Sequence, residues 1–188
     1  SWFASKEDFL KKYDYLSELK FRMSYGKIGS NPISPYQSLA LMMPIRYNFN
    51  DEIITGFFES NLANDDLSWE TTDQFNFGID IALLDSKLSL TIDLYHKLTS
   101  DLLQNVQLPV SNGYISRVDN FGEVENRGVD FSIESKILEK SDFIWNLNTN
   151  FGLNKNKLNK LNSNLDFQLG PFIGFSQAYP ILFRVGQP

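Results

Sequence analysis

The sequence predicts an all-β fold, organised as an antiparallel up-and-down meander. The main observation is the stretch 69–98, in which two arms alternate apolar and polar residues on either side of a polar turn at 85–87. Side chains of a strand point alternately to opposite faces, so this pattern indicates a hairpin with one apolar and one polar face. Aromatic residues make up 14% of the chain and favour sheet as well.

Three further segments alternate in the same way and are predicted as strands, namely 19–26, 128–138 and 143–153. A short helix is predicted at 5–13, because Ser5 is a good N-cap and Phe9, Leu10 and Tyr13 fall on one side. Two short strands are predicted within the first long connection, at 46–49 and 53–57.

The order of the connections predicts how the strands are used. Long connections follow the first, third and fifth strands (28–66, 99–127 and 154–164), whereas short turns follow the second and fourth (85–87 and 139–142). Short turns at one end and long loops at the other are typical of a transmembrane β-barrel, and the strands reach the roughly 9–11 residues that cross a bilayer. Trp69 and Trp145 fall near strand ends, where an interfacial aromatic belt is expected. We therefore predict a segment of a large barrel with short periplasmic turns and long extracellular loops.

Composition excludes several classes of function. The net charge of −6 leaves no basic stripe for nucleic acid, and no cysteine is available for disulfides or thiol chemistry. His96 is the only histidine, so a histidine-based zinc site is not expected, and Asp65-Asp66 lack the spacing of a calcium loop. We predict no catalytic residue, no metal and no cofactor, and hence not an enzyme. A soluble β-sandwich with the apolar face as its core remains the alternative fold, because alternation alone does not separate the two.

Several segments resemble one family in their order along the chain. They are LKFRMSYGKIGS (19–30), ISPYQSL (33–39), LSWETTDQFNFGID (67–80), LSLTIDLYHKLTSDLL (88–103), VDNFGEVENRGVDF (118–131) and RVGQP (184–188). Together they are similar to the SusC/RagA-like family of TonB-dependent outer-membrane transporters. The resemblance covers most of the chain and is weakest over 42–60.

The resemblance implies a barrel of about 22 strands with a plug in its lumen, lying in the outer membrane of a Gram-negative cell. Such transporters import oligosaccharides, or peptides in some members, and a SusD-like surface lipoprotein closes over them as a lid. TonB supplies the energy by acting on the plug. Residues 1–188 are expected to be part of one barrel domain, from its C-terminal half, with the plug, the earlier strands and the final strands missing. An alternative function is a soluble β-rich carbohydrate-binding or adhesion module.

Two groups of candidate site residues follow. If the apolar face contacts lipid, the polar face lines the lumen, and its candidates are Lys20, Arg22, Glu70, Gln74, Asn76, Asp93, Asp130, Glu134, Asn146 and Asn148. Aromatic residues in the extracellular loops are candidates for contact with substrate or with the lid, namely Tyr36, Tyr47, Phe49 and Tyr114.

Overall fold

A computed structural model describes residues 1–114, 116–162, 166–170 and 181–188. The strands in these residues are β1 (Trp2–Phe3), β2 (Leu16–Ser30), β3 (Met42–Phe49), β4 (Glu52–Glu59), β5 (Glu70–Leu83), β6 (Leu88–Ser100), β7 (Leu103–Gln107), β8 (Ser116–Asn120), β9 (Gly122–Lys140), β10 (Phe143–Leu161), β11 (Phe167–Leu169) and β12 (Leu182–Arg184). Short 3-10 helices occur at Ala4–Lys6 and Val110–Asn112. Within this described part of the chain, no helix has the length and apolarity needed to cross a membrane.

The long strands form one sheet in the order β1-β2-β5-β6-β9-β10. Apart from the β3/β4 and β7/β8 hairpins, which pair within the two long connections, the order of the sheet follows the order of the chain. This arrangement confirms the predicted all-β antiparallel meander. The turn between β5 and β6 is tight, because Leu84, Asp85 and Ser86 all adopt positive φ, between 55° and 62°.

The long connections carry strand pairs of their own. In the first, β3 pairs with β4 from Met42 opposite Glu59 to Phe49 opposite Glu52. Its two-residue turn has Asn50 at φ 52° and Asp51 at φ 63°, the backbone that suits a tight hairpin. This hairpin confirms the two short strands predicted there and extends both. In the second, β7 pairs antiparallel with β8.

Three predictions of local structure were wrong, and one of them is that 122–127 end the second long connection, because these residues lie in β9. Residues 5–13 do not form an α-helix; a 3-10 turn at Ala4–Lys6 is followed by single turns closed by bonds such as Leu10 N–H to Glu7 O. A stretch this short is below the length at which a helix is stable without packing, and most of it is exposed. The Asn/Lys-rich stretch after residue 153 was predicted as a connection, but β10 continues through it to Leu161. Cross-strand pairing, such as the Asn156 amide bonded to Asn126, outweighs its low β-propensity.

The chain divides into two compact units. The first comprises Ser1–Ile28, Thr72–Leu98 and Glu125–Lys157; the second comprises Gly29–Thr71, Thr99–Val124 and Leu158–Pro188. The second unit contains a small core of Phe121, Leu158 and Leu161, packed against residues that include Phe183. The rings of Phe121 and Phe183 meet edge to face with centroids 5.0 Å apart.

The first unit is a two-faced sheet rather than a layered core. On its apolar face Phe21 stacks on Phe77 with centroids 6.4 Å apart, and Trp2 stacks on the other side of Phe21 at 5.6 Å. The same face leaves large apolar side chains exposed, including Met23 at 69% and Leu153 at 60%. Exposed apolar surface on this scale marks a region that contacts another apolar phase or protein.

Candidate functional site: the polar face and the loop residues

The polar face of the first unit is a hydrogen-bonded layer that runs across β2, β5, β6, β9 and β10. Its cross-strand bonds include Asn76 to Ser24 at 3.1 Å, Thr91 to Asp80 at 3.3 Å, and Ser132 to Asn150 at 2.6 Å. Nine of the ten residues predicted for this face lie in the first unit: Lys20, Arg22, Gln74, Asn76, Asp93, Asp130, Glu134, Asn146 and Asn148.

Arg22 is the centre of the strongest cluster on this face. Its Nε and Nη2 donate to the two carboxylate oxygens of Asp80 on β5, at 2.7 and 2.9 Å, in a bidentate pair. Nη2 also donates to Asp93 Oδ1 on β6 at 2.9 Å, while Lys20 Nζ lies 3.8 Å from Asp80 Oδ2. One cation from β2 therefore joins two carboxylates on two successive strands.

The absence of a side chain at Gly78 makes this reach possible. A Cβ added at Gly78 would lie 2.7 Å from Arg22 Cζ and 2.5 Å from Asp93 Oδ1, so any larger residue displaces the pair. Tyr95 on β6 follows the same design, because its phenol lies over Gly128 of β9 and donates to Asn154 Oδ1 on β10 at 3.2 Å. Asp130 likewise lies against Gly152, where an added Cβ would be 2.7 Å from Oδ1.

The remaining candidates of the polar face fall into two places. Gln74 donates to Asn76 Oδ1 at 3.0 Å, which joins them to the bond with Ser24. Near the short turns, Glu134, Asn146 and Asn148 line an open polar groove of about 240 Å³ together with Ser89 and Lys136. Polar donors and acceptors thus continue along the face from the Arg22 cluster to its turn end.

Glu70 and the four aromatic candidates lie in the second unit. Glu70 Oε2 accepts a 3.4 Å bond from Leu103 N–H, so its carboxylate holds the start of β7. Tyr36 is exposed at 73% with a φ of 62°, whereas Tyr47 and Phe49 lie on the β3/β4 hairpin. Within the residues described, no stacked ring pair joins any of these aromatics.

Tyr114 has a defined partner on that hairpin. Its phenol donates to Glu59 Oε2 at 2.7 Å, which ties the loop before β8 to the end of β4. This hydrogen bond, with smaller effects of desolvation and of the negative charge, raises the pKa of the Tyr114 phenol above its usual value.

Sequence reasoning did not single out several residues that organise these regions. Asp80 follows the even positions of the polar face, and a search for a partner to Arg22 would have found it. Asn120 had no such signal, although it is nearly buried: its side chain donates to Asp101 O at 2.7 Å and to Ser68 O at 3.0 Å, and accepts from Ser68 N–H at 2.9 Å. Nearby, the buried Asn64 amide donates to Val118 O at 3.0 Å. These asparagines fix the bases of the long loops in the second unit.

Metal ligation finds no support in the part of the chain that the structure describes. No group of three or more histidine, aspartate or glutamate side chains is placed there to hold an ion. The carboxylates of Asp80 and Asp93 on the polar face are instead paired with Arg22 and Lys20. The geometry is that of a wall with two chemically distinct faces.

A meander of long strands with a polar face and an exposed apolar face defines a segment of a β-barrel. The chain belongs to the family of TonB-dependent receptor-like β-barrels, whose model matches residues 12–175. This membership confirms the recognition made from the quoted segments, and the family is one of outer-membrane barrels. It also confirms, from the nature of the family, that the chain is not an enzyme.

Similar curated proteins are TonB-dependent receptors that are much longer than this chain. TonB-dependent receptor P3 of Formosa agariphila is 38% identical over 188 residues, which is all of this chain and 19% of that protein. TonB-dependent receptor SusC of Bacteroides thetaiotaomicron is 33% identical over 166 residues, covering 85% of this chain and 16% of that protein. The chain therefore spans about a fifth of the length of the first of these relatives.

Similar solved structures carry the same arrangement of strands. The structure of the RagAB peptide transporter matches 96% of this chain and 19% of the chain it aligns with, at a TM-score of 0.84 and 32% identity. The RagAB peptide importer in its closed-closed state matches all of this chain and 20% of that chain, at a TM-score of 0.86 and 30% identity.

Proposed function

We propose that this chain is part of the wall of an outer-membrane transporter that imports oligosaccharides or peptides and is energised by TonB. In this proposal residues 1–188 belong to one barrel domain, and the plug on which TonB acts lies outside the segment. The observation that carries the proposal is the two-faced sheet of the first unit, taken together with membership of the receptor family.

The chemistry of the two faces supports an orientation with the polar face towards the lumen. Charged side chains are costly in hydrocarbon and face the interior of a membrane protein, so Arg22, Asp80 and Asp93 belong on the side away from lipid. The apolar face, with Met23, Phe77 and Leu153, suits the bilayer. In this orientation the polar candidates hydrogen-bond the plug or line the path of the substrate.

The β3/β4 hairpin and the loop before β8 are the proposed contacts with the lid. The hairpin exposes large apolar side chains along its length, among them Ile53 at 77% and Phe57 at 67%. Exposed aromatic and aliphatic residues are typical of surfaces that bind a partner protein or an amphipathic ligand. We expect a SusD-like lipoprotein to cover them, with Tyr36, Tyr47, Phe49 and Tyr114 shared between lid and substrate.

The substrate class stays open between sugars and peptides. The name of the RagAB relatives refers to peptide import, and the SusC relative is named only as a receptor. On the polar face, the cations Arg22 and Lys20 are already paired with Asp80 and Asp93. Amides, hydroxyls and the carboxylates of Asp130 and Glu134 are the groups left for recognition. Amides and hydroxyls of this kind bind the hydroxyl groups of sugars and the backbones of peptides alike.

The test uses the absence of cysteine from this segment. Single cysteines at each position from 71 to 83 in the full-length protein, in a background without other reactive cysteines, are treated in membranes with a water-soluble and then a lipid-soluble thiol reagent. Odd positions from 75 to 83 are expected to react only with the lipid-soluble reagent, and even positions with the aqueous one. A matched pair is Phe77→Cys and Asn76→Cys, which are adjacent on β5 and differ only in face.

Two results would count against the proposal. If odd positions resist both reagents and the protein fractionates as soluble, the apolar face is a protein core, and the carbohydrate-binding or adhesion module replaces the transporter. If odd positions react with the aqueous reagent while even positions do not, the faces are reversed and the lumen-facing residues are wrong.

A further inference from the structure

A line of charged residues crosses the apolar face of the first unit. On each of its five long strands a charged or titratable residue follows the apolar run, on the side away from the short turns; on β6 the apolar Leu98 comes after it. These residues, which we call the charged line, are Lys27 next to Tyr25 on β2, Asp73 next to Phe75 on β5, His96 next to Leu94 on β6, Arg127 next to Val129 on β9, and Lys155 next to Leu153 on β10. A transmembrane strand changes from apolar to charged where hydrocarbon gives way to headgroups.

The β2/β5 half of the charged line is neutralised within the protein. Lys27 Nζ lies 3.4 Å from Asp73 Oδ2, and the Tyr25 phenol donates to Asp73 Oδ1 at 2.6 Å. The one cation of this half therefore has its own carboxylate, and nothing here calls for an external anion.

The β9/β10 half carries an excess of positive charge. The side-chain bonds Ser132–Asn150 and Asn126–Asn156 fall in one antiparallel register, which places Arg127 directly opposite Lys155. Like charges directly opposite in a sheet are destabilising. Among the described residues, no carboxylate forms an ion pair with Arg127 or Lys155. The carboxylate of Glu125, two residues before Arg127, lies instead beside His96, with Oε1 3.0 Å from Nε2.

These cations border an open groove with an apolar floor. The groove holds about 480 Å³ between β6, β9 and β10, and His96, Arg127 and Lys155 line its charged side. Leu94, Val129 and Leu153 line it one step further towards the short turns, and the intervening residues Tyr95, Gly128 and Asn154 complete the lining. The site is thus cationic at one end and apolar at the other, as an anionic amphiphile requires.

We propose that this groove binds the phosphorylated headgroup of a lipid of the outer leaflet, with Arg127 and Lys155 on the phosphate and an acyl chain along Leu94, Val129 and Leu153. The inference rests on the proposed function, because it needs the apolar face to contact lipid. Guanidinium and ammonium groups both suit phosphate, and an anion between them would remove the repulsion of the opposed pair. A lipid is favoured over free phosphate because only a lipid uses the apolar floor.

The experiment measures lipid binding by the full-length protein. Native mass spectrometry in detergent gives the affinity for a bis-phosphorylated glycolipid, for its dephosphorylated form, and for the phosphorylated lipid in the presence of inorganic phosphate. The variant is Arg127→Gln with Lys155→Gln. The matched control is Lys157→Gln, which removes the same charge from the same face of β10 but does not line the groove.

The expected result is an affinity for the phosphorylated lipid about thirtyfold lower in the double variant, since two charges near an anionic lipid surface are each worth about 1 kcal/mol. The control is expected to stay close to the parent protein, and the dephosphorylated lipid is expected to bind all three proteins weakly. The proposal is overturned if the double variant binds the lipid as tightly as the control. It is also overturned if inorganic phosphate displaces the lipid at equal concentration, because the site then recognises a free anion and not a lipid.

A parallel labelling experiment separates this inference from the proposed function. Val129→Cys and Asp130→Cys occupy opposite faces of β9 next to the groove. If Val129→Cys reacts only with the lipid-soluble reagent, the barrel orientation stands, and failure to bind lipid counts against the groove alone. If the aqueous reagent reaches Val129→Cys, the proposed function fails together with the inference.

Discussion

Removing the guanidinium of Arg22 is the sharpest test of the polar face. The structure gives Arg22 three charge-assisted hydrogen bonds, two to Asp80 and one to Asp93, at 2.7 to 2.9 Å. The side chains are partly exposed, at 36% for Arg22 and 25% for Asp80, so each bond is worth less than the 1.5–3 kcal/mol or so of a buried one. We expect a coupling free energy between Arg22 and Asp80 of about 1–2 kcal/mol.

The replacement Arg22→Met also leaves Asp80 and Asp93 facing each other. Both carboxylates bond to the same nitrogen of Arg22, so they lie within a few ångströms of each other. Two charges about 5 Å apart repel by about 1 kcal/mol in a water-like dielectric and by more in a less polar one. The single variant is therefore expected to lose about 2–3 kcal/mol, and Asp93→Asn in the same protein should restore part of it.

The assay is a double-mutant cycle on urea unfolding of the full-length receptor refolded into lipid. The cycle combines Arg22→Met with Asp80→Asn. The matched control is the same cycle with Lys20→Met in place of Arg22→Met. Lys20 Nζ is 3.8 Å from Asp80, so the coupling free energy of this pair should be below about 0.5 kcal/mol. A coupling for Arg22 no larger than for Lys20 would refute the bidentate pair as a source of stability.

Three further predictions concern other parts of the chain. Asn120→Ala removes three hydrogen bonds from a side chain that is 9% exposed, so we expect about 1–3 kcal/mol of local destabilisation, seen as faster proteolysis of the loop after β6; the exposed Asn112→Ala should have no effect. The Tyr114 pKa is raised, so its hydrogen bond to Glu59 stabilises the loop below pH 10 and is lost as the pH rises through the folded-state pKa. At pH 8 the β3/β4 hairpin should therefore be better protected from protease in the parent than in Tyr114→Phe. Above the folded-state pKa of Tyr114, the protection of the two proteins should not differ. Phe77→Lys should cost about 2–4 kcal/mol in lipid if Phe77 faces mid-bilayer, and unfolding curves that match the parent would contradict that placement.

The strands could be predicted because their signal is local. Alternation in 69–98 reports directly which side of the sheet each residue occupies, and the polar turn marks the reversal. The ends of the strands were less predictable. Two stretches that are poor in β-branched residues nevertheless lie within strands, namely Gly122 to Arg127 in β9 and Asn154 to Leu161 in β10. They do so because pairing with the neighbouring strands outweighs their weak β-propensity.

The candidate site was predictable by face but not by contact. The parity of each residue placed Arg22 and Asp93 on the polar side. Their connection depends on the register of β2, β5 and β6, which a single sequence does not specify. For the same reason Asn120 was missed, since its partners Ser68 and Asp101 are distant in sequence and meet only where the loop bases converge.

Glycine explains how the polar face becomes one connected wall. In a sheet, a side chain normally reaches the neighbouring strand, and the side chain directly opposite blocks the strand beyond it. At Gly78 and Gly128 that obstacle is absent, so Arg22 reaches β6 across β5, and Tyr95 reaches β10 across β9. Each bridge ties three strands together on the side away from the apolar face. A wall tied in this way keeps the polar groups of these bridges paired with one another, so that in the proposed orientation a plug or a substrate would meet a fixed pattern of hydrogen-bonding groups.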